Sequence, residues 1–233
     1  VNDTCFNACG GSSSVSISGG TLPYTFSWRK GVNIIGSNSS SVDGLCAGSD
    51  YELTVMDSNS CQQIFPFVIT QPDEVIASAA VTSTSCFGLS DGSATVTPMG
   101  GTSGYSYSWP NGATTLANTG LMAGTHVVTI TDANNCSIST LVLVNEPTPL
   151  VIDSLIPIHV SCAGGDNGQI TTYTSGGNGN NTFFLMPNNI NNTNGIFTNL
   201  TAQAYYITVA DTNNCFAQDS ILIIEPNLLT LAY

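Results

Sequence analysis

The chain has 233 residues and a one-sided charge: fifteen acidic side chains stand against two basic ones, Arg29 and Lys30, for a formal net charge of -13. Phosphate contacts need lysine and arginine, so this balance excludes a nucleic-acid partner and docking on an anionic membrane surface. Only 7% of residues are charged, and serine, threonine, asparagine and glycine carry most of the polarity, which is the composition of an extracellular β-protein.

No apolar run reaches the roughly 18 to 20 residues of a membrane helix, so direct membrane insertion is not expected. No basic stretch followed by an apolar one opens the chain, which therefore reads as a mature or excised piece. Val1 to Thr4 read as the tail of a strand. Cys5 follows, and fourteen residues later the pair Gly19-Gly20. Tyr24, Phe26 and Trp28 alternate with polar residues, as do Tyr51, Leu53 and Val55, the period of a half-buried strand. Asp57-Ser58-Asn59-Ser60-Cys61 then forms a turn between that strand and an apolar run, Ile64 to Pro72.

The same order returns twice. In the second copy Val75 to Thr82 is a first strand, Cys86 to Gly92 a turn, and Ser93 to Thr97 a short strand before Gly100-Gly101. Tyr105, Tyr107 and Trp109 come next, then a short edge strand within Ala113 to Leu121. The strand of His126, Val128 and Ile130 leads into Asp132-Ala133-Asn134-Asn135-Cys136 and the run Ile138 to Pro147. In the third, Cys162 precedes Gly176-Gly177, and Tyr205, Ile207 and Val209 lead into Asp211-Thr212-Asn213-Asn214-Cys215 and Phe216 to Pro226. The third copy keeps Phe183 but has Asn181 and Leu185 for the tyrosine and tryptophan, which predicts a thinner core. Asn227 to Tyr233 reads as the first strand of a fourth copy.

Self-similarity at this period takes precedence over length in counting domains. The expected boundaries are 1–72, 73–147, 148–226 and 227–233, with proline marking each junction and short linkers making successive units semi-rigid. Six or seven short strands per copy, broken by turn residues and without a convincing helix, predict an all-β chain: a tandem array of immunoglobulin-like β-sandwich repeats.

Units of this size are marginal on core burial alone and call for a staple. Aligning the copies on their Gly-Gly pairs predicts three bridges within copies: Cys5 with Cys61, Cys86 with Cys136, and Cys162 with Cys215. Cys9 and Cys46 face Ser90 and Met122 in the second copy, so they stand outside the pattern and are expected to pair with each other. The rival is a metal site or reactive thiols. It lacks a Cys-x-x-Cys, and His126 and His159 sit at no common ligand spacing.

The pairs Asp57 with Asn59, Asp132 with Asn134, and Asp211 with Asn213 offer oxygens at alternate positions, as calcium loops do. They are equally ordinary turn residues that bond their own backbone. Calcium is therefore the one possible cofactor, and none is required. The aromatic strand reads as core packing, with a sugar-stacking platform as its rival. Two histidines in separate copies, and no acidic cluster peculiar to one copy, give no basis for an enzyme.

Taken in order, Cys86-Phe87-Gly88-Leu89-Ser90-Asp91-Gly92, Gly100-Gly101, Tyr105-Ser106-Tyr107-Ser108-Trp109, Leu121-Met122-Ala123-Gly124, Asp132-Ala133-Asn134-Asn135-Cys136 and Glu146-Pro147 resemble the SprB repeat. The resemblance implies a segment of a large cell-surface adhesin of gliding Bacteroidota, exported by type IX secretion, in which repeats build the body of a filament. It also implies O-glycosylation at Asp-Ser before an aliphatic residue, which Ser154 and Ser220 satisfy. The partners expected are neighbouring repeats of the same polypeptide and, in an alternative reading, a surface polysaccharide.

Overall fold

A computed structural model describes residues 1–231, and among them there are nineteen strands and no helix. The first third of the chain holds β1 (Gly11–Ser14), β2 (Thr25–Lys30), β3 (Asn33–Ser37), β4 (Ser41–Leu45), β5 (Gly48–Met56) and β6 (Gln62–Ile69). They form two antiparallel sheets, ordered β1-β4 and β3-β2-β5-β6. The middle third holds β7 (Ile76–Thr82), β8 (Gly92–Met99), β9 (Ser106–Ser108), β10 (Ala117–Leu121), β11 (Gly124–Thr131) and β12 (Ser137–Val144). Their sheets run β10-β8-β7 and β12-β11-β9. The last third holds β13 (Val151–Ile158), β14 (Gly168–Ser175), β15 (Thr182–Met186), β16 (Ile190–Asn192), β17 (Ile196–Leu200), β18 (Ala204–Ala210) and β19 (Phe216–Leu222). Here the orders are β13-β14-β17 and β16-β15-β18-β19, the two-sheet split of an immunoglobulin-like sandwich.

Period-two alternation puts one face of each strand inward. In the register of β2 on β5, Phe26 lies opposite Val55 and Trp28 opposite Leu53. In the register of β15 on β18, Phe183 lies opposite Val209 and Leu185 opposite Ile207. Trp28 is wholly buried, and its indole N–H donates to the Ser39 carbonyl at 2.9 Å, so the ring enters the core without orphaning its one polar group. The hydroxyls of Tyr51 and Tyr205, near the starts of β5 and β18, donate back to the carbonyls of Cys46 (2.7 Å) and Thr201 (3.2 Å). A tyrosine tied this way to the preceding corner is a feature of immunoglobulin-like folds.

The third copy does not have the thinner core that its missing tryptophan suggested. Eleven apolar side chains are buried together there, against seven in the first copy, and Phe197 on β17, where β4 has Val42, supplies volume that Leu185 does not. The strand expected from Asn227 is not formed. Residues 227–231 carry no strand, as a segment without a ladder partner would not, and the end of that expectation, 232–233, lies outside the described residues.

The chain divides into two compact units. One comprises Val1–Ala79, Thr95–Leu116 and His126–Leu141; the other comprises Ala80–Ala94, Ala117–Thr125 and the chain from Val142 onward. The division falls within the middle copy, whose strands β7, β8, β11 and β12 each run from one unit into the other, and not at Pro72 or Pro147.

Burial of this completeness sets an expectation for the first core. Trp28→Ala should cost about 3–5 kcal/mol in chemical denaturation, whereas Trp28→Leu, which installs the residue found at the matching place in the third copy, should cost less. A loss below ~1 kcal/mol for the alanine variant would show that the ring is not part of the core.

Candidate functional site

Three turns repeat through the structure, and each motif of the sequence has a bond that accounts for it. In the closing turn, Asp132 Oδ1 accepts from the amides of Asn134 (2.9 Å) and Cys136 (2.8 Å), while Oδ2 accepts from the Thr102 amide at 2.8 Å. Asp57 repeats this with Asn59 (2.9 Å), Cys61 (2.9 Å) and Thr21 (3.1 Å). Asp211 repeats it with Asn213 (2.9 Å), Cys215 (3.0 Å) and the Asn178 amide (2.8 Å). One carboxylate thus ties a hairpin loop to the Gly-Gly turn. The second glycine is dictated by that approach, since a Cβ on Gly101 would stand 2.7 Å from Asp132 Oδ2 and one on Gly177 2.9 Å from Asp211 Oδ2.

These bonds hold the aspartates in their charged form. The Cys61 amide, followed by those of Thr21 and Asn59, lowers the Asp57 pKa. At Asp132 and Asp211, burial pushes upward but the surrounding amides prevail, and both also titrate below the ordinary carboxylate range.

The opening turn is held from its own copy's last strand. The amides of Asn7, Gly88 and Gly164 donate to Gln71 Oε1 (2.9 Å), Glu146 Oε2 (2.8 Å) and Glu225 Oε2 (2.6 Å), the residues immediately before the junction prolines. Opening and closing turns consequently sit at opposite ends of one strand. Cys61 precedes the eight residues of β6 and Gln71 follows them, a span of about 26 Å at 3.3 Å per residue.

That span overturns the bridges expected within copies. Cys5 is bonded to Cys136, with Cα atoms 5.7 Å apart, and Cys86 to Cys215, 5.6 Å apart. Each opening cysteine reaches the closing cysteine of the next copy, across sequence separations of 131 and 129. Cys9 is bonded to Cys46, and Cys61 and Cys162 are exposed free thiols. Cys5–Cys61, Cys86–Cys136 and Cys162–Cys215 are therefore not the pairs. Nothing in the spacing distinguishes the two pairings, because the recurring offset fixes which cysteines are equivalent and not which copy supplies the partner.

Polar bonds accompany both bridges. Asn134 Nδ2 donates to the Thr4 carbonyl at 3.0 Å, next to Cys5. Asn178 Nδ2 and Asn213 Nδ2 donate to the Ser85 carbonyl, both at 3.1 Å, next to Cys86. Asp132 and Asp211, beside the bonded cysteines, are 4% and 5% exposed, whereas Asp57 beside the free Cys61 is half-buried.

The oxygens of Asp57, Asp132 and Asp211 accept backbone amides, and Asn59, Asn134 and Asn213 turn N–H donors outward, to Thr21 Oγ1 (3.1 Å), Thr102 Oγ1 (2.9 Å) and the Ser85 carbonyl. Among the described residues no group of three or more histidine, cysteine or acidic side chains is placed to hold a metal. Trp28 at 0% and Trp109 at 3% exposure offer no face for sugar stacking. His159 Nδ1 accepts from the Ile224 amide at 3.3 Å, a structural bond, and His126 lies half-buried on β11. Ser154 and Ser220 are exposed on β13 and β19.

The family model of the SprB repeat matches residues 1–33 and 78–114, the stretches that run from before the opening cysteines Cys5 and Cys86 through the aromatic strands of the first two copies. These two stretches are similar to the SprB repeat. No curated protein matches it significantly. Among solved structures, similarity extends to extracellular domains 3–5 of Drosophila OTK, at 10% identity over 92% of both chains with a TM-score of 0.30. The N-terminal eight Ig domains of the Down syndrome cell adhesion molecule match at 13% identity over 95% of this chain and 34% of that one, TM-score 0.38. A C-terminal fragment of intimin, in complex with the intimin-binding domain of its translocated receptor, matches at 18% over 73% and 56%, TM-score 0.33. The stretches matched by the SprB repeat contain Cys5 and Cys86 and the pairs Gly19-Gly20 and Gly100-Gly101, residues of the opening and Gly-Gly turns described above.

Two expectations follow from this geometry. Asp132→Asn replaces one of the two oxygens that together accept three amides and should destabilise the chain by on the order of 1–3 kcal/mol in denaturant titration. The lowered carboxylate values mean that the stability these groups confer is complete above the unfolded value near pH 4, and is lost as pH falls through the lower folded values. Tm should therefore be flat from neutrality to about pH 4 and drop below it; a fall already at about pH 6 would contradict the assignment.

Proposed function

We propose that the chain is a structural stalk segment of a long extracellular adhesin filament, three SprB-type repeats in series with boundaries at 1–72, 73–147 and 148–226. The observation that carries this reading is the interlacing of the bridges: Cys86 lies inside the loop closed by Cys5–Cys136, and Cys136 inside the loop closed by Cys86–Cys215. Each loop of about 130 residues stabilises the fold by roughly 5 kcal/mol on the chain-entropy model.

Interlacing also decides where tension goes. From Cys5 to Cys215 the shortest covalent path crosses both bridges and only the stretch between Cys86 and Cys136, about 50 residues or roughly 165–180 Å when fully extended. Within-copy bridges would have left the linkers to stretch while each unit stayed folded. Here the unbridged stretch is the interior of the middle repeat, so junctions cannot part until that repeat unfolds. A stable bridge of this kind belongs in an oxidising compartment, which supports an extracellular location. The SprB repeat match supports surface adhesion, gliding motility and type IX export as the setting, and the acidic surface keeps neighbouring filaments apart. Neighbouring repeats are the partners. Ser154 and Ser220, both exposed, are the glycosylation sites this reading offers.

Pulling a single oxidised chain between its ends tests the mechanism. Extension between Cys5 and Cys215 should stop near the ~50-residue limit and rise roughly fourfold after reduction, to the length of about 210 residues. Full extension without reductant would refute interlaced bridging. A stalk segment of this kind should show no saturable binding on a polysaccharide array; saturable binding would move its function to carbohydrate recognition.

A further inference from the structure

The opening turn is built alike in the three copies but is held differently in the first. In each, the amide three residues on donates to the carbonyl of the opening cysteine: Ala8 to Cys5 and Leu89 to Cys86, both at 3.3 Å, and Gly165 to Cys162 at 3.0 Å. In the second and third copies the residue five places after the cysteine closes the turn. Asp91 Oδ1 accepts from the Ser85 amide and Asn167 Oδ1 from the Ser161 amide, both at 3.0 Å. The first copy has Gly10 at that place, with no side chain to offer the Thr4 amide.

Two other features stand in for it. Asp3, ahead of the cysteine, turns Oδ1 to the Gly10 amide, so the carboxylate comes from the opposite segment of the turn. Asp3 is 5% exposed and its Oδ2 has no partner among the described residues, which makes the carboxylate alone an imperfect substitute. The second feature is the bond from Cys9 to Cys46, the residue after β4. Cys46 is a firm anchor: its carbonyl takes the Tyr51 hydroxyl at 2.7 Å, and its neighbour Leu45 lies opposite Gly11 in the register of β1 on β4. Cys9 itself has a φ of 55°, a left-handed conformation that non-glycine residues seldom take and that a local turn would not choose unaided. The second copy has Ser90 and Met122 at the two places and the third has Asp166 and Thr201, where no bridge can form.

We infer that the Cys9–Cys46 disulfide is a positioning device: from the corner between β4 and β5 it does covalently what Asp91 and Asn167 do by hydrogen bond, and so presents Cys5 for its bond to Cys136. Cys5 stands four residues before Cys9, so clamping Cys9 to a fixed corner cuts the number of conformations that Cys5 searches before it meets its partner. The one bridge outside the repeat pattern thereby serves a bridge inside it, and it compensates for a glycine where the other copies carry a side chain.

The double variant Cys9→Ser/Cys46→Ser tests this. The full chain is reduced and then reoxidised with oxidised glutathione, each closure turning one oxidised glutathione into two reduced. Peptide mapping of quenched samples gives the closure rates of Cys5–Cys136 and Cys86–Cys215 in the same molecule, and Cys86, which keeps its Asp91 turn, is the internal reference. Relative to it, closure of Cys5–Cys136 should slow roughly fivefold, the weight of about one turn-holding hydrogen bond. Adding Gly10→Asn should return the ratio to that of the unsubstituted chain. A Cβ on Gly10 has Asp3 Oδ1 at 3.6 Å as its nearest neighbour, an ordinary contact, and the new carboxamide can accept from the Thr4 amide and donate to Asp3 Oδ2. An unchanged ratio in the double variant would overturn the inference. So would equal slowing or loss of both bridges, which marks general loss of structure, or a failure of Gly10→Asn to restore the ratio. None of these readouts depends on the adhesin reading, which polysaccharide binding tests separately.

Discussion

A disulfide can join only residues whose Cα atoms lie within about 7 Å, and a strand of eight residues is several times longer than that. Everything distinctive about this chain follows from those two lengths. The opening cysteine is fastened at one end of its sandwich by the glutamate or glutamine before the junction proline, and the closing cysteine sits at the other end, in the turn that begins the last strand. A bridge within the copy is geometrically out of reach. The cysteine that can be reached belongs to the next copy, and the repeats become covalently interlaced instead of individually stapled.

The closing turn makes that reach reproducible. An aspartate whose two oxygens take three backbone amides fixes the loop, the Gly-Gly turn and the cysteine as one rigid piece, and it does so without the partner turn: the first copy has the full set of bonds although Cys61 is free. Docking of an opening turn adds burial and an asparagine-to-carbonyl bond to a geometry that already exists. Preorganisation of this kind lowers the ordering cost of association and favours one register of one turn on another.

Residue types that elsewhere carry chemistry are absorbed by this scaffold. The aspartates of the closing turns accept backbone amides, the tryptophans are in the core, and His159 accepts a backbone amide.

Periodicity was readable without coordinates because side chains alternate across a strand and turns need particular residues. The strands of each copy, the inward faces of Trp28 and Trp109, and the equivalence of Cys5, Cys86 and Cys162 all follow from local patterns repeated three times. Cys9 with Cys46 was reachable by elimination. Core volume was not, because Phe197, where the first copy has Val42, supplies volume from another strand than the one that lacks the tryptophan, a compensation that no single strand records. Nor was the partner of each repeat cysteine, since in a tandem array the neighbour's turn is chemically identical to a copy's own. Sequence determined which residues recur and what local shape each takes; only the tertiary structure, by setting two turns at opposite ends of a strand longer than a disulfide can span, decided that the bridges run between copies.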